Sequence, residues 1–483
     1  MPDQTSATLD ETQDEPGTGW WLIVALIIAE LVSGFEGSMV YAALVKFYRV
    51  YNDPVGIGWL VSGYLLIASI AAAICGRLGD IYGRKRVLLA VLAGACIGSV
   101  ISASSTQLEW IIAGRSVQGL SGAILPLCYG LAREHSHPSR IAINIGIISG
   151  TAAAGAGIGA ILGGVLVDHG SWRHIFLFAA ILAVAAAGLV QVVIPRDSRK
   201  RTAQIDWLGG ILFIIGAGLA LYALGLGGKH GWGSVEQVRL MLIGFAVLVA
   251  WFWYELRIPD PMINVRMLAT RQIAVALGAF SLASLGALNI SQIVMVMIQQ
   301  PTATGVGLGL SATTAGILHS PASILGVVGS PLVGWLSGRR GGKPGMIVAL
   351  SIITASWLGL TFTHHDLVLV VVFMALNGLG IGALMAATPI LIVEVAPADR
   401  VSEATGLAQI VRKISMACGA QIVAVSLATS TIKVGTGTYP DSSAFLGTFG
   451  LMAGFCALSL LVCLALPSRR SDAKALSDHF GSP

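Results

Sequence analysis

Apolar residues run in blocks of about 20 from Trp20 to Leu466, the length that crosses ~30 Å of hydrocarbon at about 1.5 Å per helical residue. Polar positions gather in short gaps between the blocks. The pattern predicts fourteen transmembrane helices, at 20–46, 56–76, 87–105, 109–132, 141–167, 173–194, 206–226, 237–256, 272–298, 311–335, 344–363, 366–393, 401–430 and 444–466. Strand-length alternation is absent, which disfavours a transmembrane barrel, and the gaps leave no room for a sizeable soluble domain. Residues 1–19 carry carboxylates and no Lys or Arg, unlike the basic start of a signal peptide, and are expected to form a disordered cytoplasmic tail, with 467–483 as a second cytoplasmic tail.

Composition agrees. A chain of 483 residues that is 55% hydrophobic and 11% charged cannot cover itself with polar surface as a soluble globule does. The six cysteines (Cys75, Cys96, Cys128, Cys418, Cys456, Cys463) lie in or beside apolar spans without a CxxC pair and read as packing residues. A net charge of +5 scattered over short loops gives no nucleic-acid surface. Its distribution is informative instead, because Lys and Arg in short loops stay cytoplasmic. Loops after even-numbered spans hold Arg84, Lys85 and Arg86; Arg133 and Arg140; Arg196, Arg199, Lys200 and Arg201; Arg257, Arg266 and Arg271; Arg339, Arg340 and Lys343; and Arg400. Both termini are therefore expected inside a cell (inner or cytoplasmic) membrane.

GRLGDIYGRKR (76–86) returns as GWLSGRRGGKP (334–344), matching at Gly76/Gly334, Leu78/Leu336, Gly83/Gly341 and Lys85/Lys343. The repeat predicts an N-terminal six-helix bundle (20–194), a linker with two extra transmembrane helices (195–260) and a C-terminal six-helix bundle (261–466), an arrangement of halves that places a substrate site near the midplane. There is no P-loop for ATP. The GAGIGA of 155–160 has no preceding strand and binds no dinucleotide, and the two His of REHSHP (133–138) lack further metal ligands.

Ionisable residues inside spans mark function, since an Arg at a helix centre costs about 3 kcal/mol or more. Arg115 in GRSVQGLSGA (114–123) either points inward to a partner or snorkels to the outer face. Glu30 and Glu36 lie in the first span. Desolvation favours a carboxyl's neutral form, so such a group binds and releases protons as its surroundings alternate; a structural salt bridge is the alternative for both. Asn289, Gln292, Gln299, His319 and Asn377 either line a cavity or bond a neighbouring helix.

These motifs together resemble the major facilitator superfamily, in its fourteen-span drug:proton antiporter branch of the EmrB/QacA type, over essentially all of 20–466. Gly76, Leu78, Asp80, Gly83, Arg84 and Lys85 fill the family's G-x-L-x-D-x-x-G-R-K pattern. The resemblance implies a conformational latch holding the halves together in the outward-facing state, with Glu134 as a partner for Arg84 and Arg412 and Lys413 as further gating residues paired with Glu394 or Glu403. Arg115, Gln118, Gly119 and Gly122 fit a pattern implicated in proton transfer. Gly155, Gly159, Gly163 and Gly164 fit the antiporter-associated glycine pattern, with Ala160 where the family has Pro. EGSMVYAAL (36–44) resembles the family's D-x-T-x-V-N-V-A-L, with Glu36 for Asp and Tyr41 for Asn.

The implied protein is an all-α integral membrane antiporter with the major facilitator fold, not an enzyme. It would export amphipathic or cationic small molecules by alternating access, with protons as counter-substrate, membrane lipid around it and no cofactor beyond the proton gradient. Proton coupling is expected at Glu36, Arg115 and Glu30, and substrate contact at Glu30, Tyr41, Gln118, Asn289, Gln292, His319 and Asn377. A periplasmic adaptor and outer-membrane channel are partners that no residue indicates. Ala160 keeps open a proton symporter importing an organic acid or sugar. A membrane-embedded enzyme or receptor would need a catalytic constellation or soluble domain absent from the sequence.

Overall fold

The computed structural model describes residues 18–195, 205–259, 261–397 and 400–466. Most of the expected 1–19 tail, the 467–483 tail and the basic run Arg196, Arg199, Lys200 and Arg201 fall outside the described residues. Among those described, fourteen helices are long and apolar enough to cross a membrane, as the hydropathy pattern predicts. The first six spans are built from α1 (Thr18–Tyr51), α2 (Pro54–Tyr82), α3 (Arg84–Ser104), α4 (Leu108–Gln118) with α5 (Ile124–His135), α6 (Ile141–Asp168) and α7 (Arg173–Val193). Next come α8 (Trp207–His230) and α9 (Val235–Glu255). The last six spans are α10 (Arg271–Ala287) with α11 (Ile290–Gln299), α12 (Ala312–Arg340), α13 (Gly342–Thr363), α14 (Leu367–Val395), α15 (Val401–Leu427) and α16 (Ser442–Leu464).

Local chemistry sets the ends. Asp53 accepts from the Gly56 amide at 2.9 Å to cap α2, and Asp206, Ser234, Ser311, Asp366 and Asp441 do the same for α8, α9, α12, α14 and α16. The Ser430 hydroxyl bonds Asp441 and holds its carboxyl below the usual range. Gly83 and Gly341, at φ 98° and 91°, turn α2 into α3 and α12 into α13 within a single residue, a backbone state that favours glycine.

Three features depart from uniform spans. Span four passes through a 3₁₀ turn at Gly119–Ala123, and span nine breaks between Ala287 and Ile290. Span thirteen ends at Leu427 rather than 430, because the chain enters a short antiparallel hairpin of β1 (Thr431–Val434) and β2 (Gly437–Pro440), which the alternation test missed. Its turn glycine, Gly435, has φ 62°.

The repeat has a physical basis beyond the turns. Lys85 donates to the Gln191 and Ile194 carbonyls at the end of α7, and Lys343 donates to the Leu464 and Leu466 carbonyls at the end of α16. Each lysine thus occupies the negative end of the last helix of its own half. Glu394 accepts from the Gly342 amide at 3.0 Å, at the turn equivalent to the one where Glu134 meets Arg84 in the first half.

Small residues let helices approach within and between halves. A Cβ on Gly34 would lie 2.9 Å from Gly155 Cα, and one on Gly159 would lie 2.2 Å from Ser38 Oγ, so α1 and α6 touch backbone to backbone. Between halves, Gly58 meets Ala424, Ser62 bonds Gln421 at 2.9 Å, Gly164 meets Ala312, and Gly316 meets Ala160 and Ile161. Asp168, ending α6, accepts from the Ala312 and Thr313 amides at 3.2 and 2.7 Å and so caps α12 of the opposite half. These contacts lie toward the side away from the basic loops. Gly76 and Gly406, on α2 and α15 nearer the basic loops, face open space. The halves are therefore joined through these contacts on the side opposite the basic loops. The hairpin of α8 and α9 is attached by α8, whose Gly225 and Gly228 meet Val55, Gln421 and Val425.

Candidate functional site

The first half buries a polar cluster at mid-span. Glu36 of α1 is fully buried; its Oε1 accepts from Ser99 Oγ of α3 at 3.2 Å and Gln118 Nε2 of α4 at 3.3 Å, while Oε2 has no hydrogen-bond partner. Arg115, also fully buried, donates to the Leu60 carbonyl at 3.1 Å, the Glu36 carbonyl at 3.0 Å and Gln118 Oε1 at 3.0 Å. It points inward, which removes the snorkelling alternative. It engages the Glu36 backbone rather than the carboxylate, and no ion pair to Glu36 or Glu30 forms among the described residues. The guanidinium also sits 4.4 Å from the Tyr64 ring centroid. Tyr64 of α2 bonds Ser121 at 3.2 Å. The glycines of GRSVQGLSGA make this closeness possible: Cβ atoms on Gly119 and Gly122 would lie 2.5 Å from the Tyr64 carbonyl and 2.6 Å from Ala68 Cβ.

Beyond Tyr64 lies a cavity of about 260 Å³ between the halves. Tyr41, Tyr64 and Ser38 line it from the first half, and Ser291, Met295 and His319 from the second, over a floor that includes Gly34, Gly37, Ala156 and Ala160. His319 Nε2 bonds Ser291 Oγ at 2.7 Å, and its buried Nδ1 has no partner.

Of the residues expected to contact substrate, only Tyr41 and His319 line this cavity. Glu30 is buried with Oε2 unpartnered, close enough to Lys413 of α15 for the two charges to interact, and does not reach the cavity. Gln118 belongs to the Glu36 cluster. Asn289, beside the span-nine break, donates to the Leu285 carbonyl; Gln292 bonds the Ala420 carbonyl at 3.2 Å; Asn377 is fully buried in α14 with neither amide atom bonded. None of these side chains lines the cavity.

The latch residues separate into two groups. Asp80 Oδ1 and Glu134 Oε1 both pair with Arg84, at 2.7 and 2.6 Å, inside the first half, and Gly83 makes the turn. Lys85 does not join them; it caps α7. A Cβ on Gly76 would meet no atom within 4 Å, so no close approach requires a glycine there in this conformation. Arg412 bonds Gln409 at 3.0 Å and meets neither Glu394 nor Glu403, which bond Gly342 and Asn264. The cross-half contact comes from its neighbour: Lys413 donates to the Ala68 and Gly122 carbonyls at 3.2 and 2.9 Å. The antiporter-pattern glycines Gly155, Gly159 and Gly163 face α1, and Gly164 faces α12. Tyr64, Ser99, Ser121, Ser291 and Asp168 escaped the sequence reading. The tyrosine and serines are ordinary in an apolar span until their neighbours are known, and Asp168 falls just past its predicted span, where an acid is unremarkable.

Comparison with known proteins is consistent with this arrangement. A family model described as Major Facilitator Superfamily matches residues 26–298 and again 281–482. The chain is 26% identical to the tetracenomycin C resistance and export protein of Streptomyces glaucescens, over 89% of this chain and 81% of that one. It is 28% identical to the uridine/deoxyuridine transporter of Lactococcus lactis subsp. cremoris, over 68% and 70%. A crystal structure of a peptide transporter in complex with sulfate superposes with a TM-score of 0.66 at 15% identity, covering 92% of this chain and 94% of that one.

Proposed function

The chain belongs to the Major Facilitator Superfamily, and from that premise we propose that it is a proton-coupled antiporter of the drug-efflux branch. It is a multi-pass membrane transporter of small molecules. In this reading it exports amphipathic molecules by alternating access, the basic loops face the cytoplasm with both termini, and the conformation described is open toward the cytoplasm. The proton gradient supplies the free energy and no cofactor is required.

The observation that carries the reading is Glu36. Its carboxyl is buried with one oxygen unpartnered, and Tyr64, whose ring rests on Arg115, also lines the cavity. A neutral Glu36 tolerates this burial. An ionised one draws Arg115 away from the backbone carbonyls and so moves the ring that rests on it. Proton binding and the shape of the cavity wall are thereby linked. On the basic side, Asp80 freed from Arg84 docks the second half when that side closes, which is the latch role proposed for it.

Transport of aromatic dyes by the reconstituted protein under imposed pH gradients of either sign tests this directly. An antiporter loads vesicles whose lumen is acidic, and a symporter loads vesicles whose exterior is acidic. The importer reading rests on Ala160 in place of the antiporter-pattern Pro, and the sign of the dependence decides between the two. Unchanged gradient-driven transport in Glu36→Gln would remove Glu36 from the coupling role.

A further inference from the structure

Among the described residues, no Asp, Glu, Lys or Arg lines the cavity between the halves. The ionisable groups near it are turned away or screened. Glu36 follows the lining residues Ser33 and Gly34 and precedes Gly37 on α1, yet its carboxyl points to α3 and α4. Glu30 faces Lys413. A cation behind the wall, Arg115, already occupies a face of the Tyr64 ring, the group that would otherwise attract a cationic ligand, and a second, Lys413, bonds the Ala68 and Gly122 carbonyls nearby. A ligand cation would find no counter-charge and a like charge behind the ring.

What the cavity does offer is flat and soft. Gly34, Gly37, Ala156 and Ala160 leave a smooth strip, and Met295 and Met416 are adaptable apolar contacts. Polar recognition is concentrated at one point on the second half. His319 Nε2 is fixed by Ser291 at 2.7 Å, which leaves the unpartnered Nδ1 as a buried site able to donate or accept according to tautomer. No carboxylate pairs with His319 among the described residues, so it serves as a neutral handle.

We propose that the transported substrate is an uncharged, flat aromatic molecule with a hydrogen-bonding group at its edge, and that His319, positioned by Ser291, is the residue that reads that group. The inference rests on the transport reading above and departs from the cationic substrates that the sequence resemblance allows.

Three probes of one tricyclic shape separate the terms: acridone, which is uncharged with a carbonyl and an N–H; N-methylacridinium, a permanent cation; and anthracene, which has no polar edge. Equilibrium binding to the purified full chain is measured by calorimetry without a pH gradient. Wild-type protein is expected to bind acridone at least about tenfold more tightly than N-methylacridinium. His319→Ala is expected to weaken acridone about tenfold, the size of one lost buried hydrogen bond, and to leave anthracene unchanged. His319→Gln should recover most of the loss, and unaltered anthracene binding certifies that the variants are folded. Equal binding of the cation and acridone, an equal effect of His319→Ala on acridone and anthracene, or binding of none of the three would overturn the proposal. Because binding is read without a gradient, absence of pH-driven transport alone would count against the antiporter reading and leave this one standing.

Discussion

Arg115 makes three hydrogen bonds and carries the Tyr64 ring on its planar face, all in a fully buried site. Arg115→Ala removes a second bond from each of two helix carbonyls, leaves Gln118 Oε1 without its donor and opens a cavity, a loss expected at about 2–4 kcal/mol and visible as a lower unfolding temperature in detergent. Arg115→Lys keeps the charge without the fork and should recover only part of it. Tyr64→Phe keeps the ring over the guanidinium and removes the bond to Ser121, so stability should fall by about 1 kcal/mol while the pH midpoint of transport moves. At this scale the sequence revealed depth and cost. An acid or Arg in a span is expensive enough to stand out, which is why Glu36 and Arg115 were legible. Azimuth was not. Glu30 sits deep in its span as expected, but the packing of α15 gives it Lys413 rather than the cavity. Tyr64 gave no signal at all, because a tyrosine in an apolar span is ordinary and only the arrival of Arg115 from another helix makes it a wall between two sites.

Helix ends tell how the elements are held. Lys85 and Lys343 stand at matched positions of the repeat and cap the last helix of their respective halves. Lys85→Ala and Lys343→Ala should therefore destabilise the protein by similar amounts, about 1–3 kcal/mol each by thermal unfolding, whereas a latch role for Lys85 alone would make their effects on transport rate unlike. Asp168 is the counterpart on the far side, a cap reaching from α6 to α12 across the halves. Asp168→Ala removes about 1 kcal/mol from the joined state, and cysteines placed along that seam should label severalfold faster. The glycine pattern of α6 was readable as a packing face because small residues every fourth position admit only a close neighbour. Which neighbour each glycine meets depended on the partner helix, α1 for Gly155, Gly159 and Gly163 and α12 for Gly164. The span-nine break and the β1–β2 hairpin were illegible for a simpler reason. The break carries no Gly or Pro to outweigh hydropathy, and the hairpin lies in the gap between spans thirteen and fourteen, where two four-residue strands are too short for alternation to register.

The molecule as a whole follows from hydropathy and loop charge more directly than its site does, since a chain that must satisfy its backbone in lipid has few choices besides helices. What hydropathy leaves out is which side of the cavity is closed. That depends on backbone contacts such as Gly58 with Ala424 and Gly164 with Ala312, which have no compositional signature. The central claim is that Glu36 links proton binding to movement of this whole assembly. It is tested most directly in vesicles containing a transported dye, by comparing pH-gradient-driven accumulation with dye-for-dye exchange in the absence of a gradient. The account predicts that Glu36→Gln retains exchange and loses accumulation. Accumulation at the wild-type level in Glu36→Gln would contradict it.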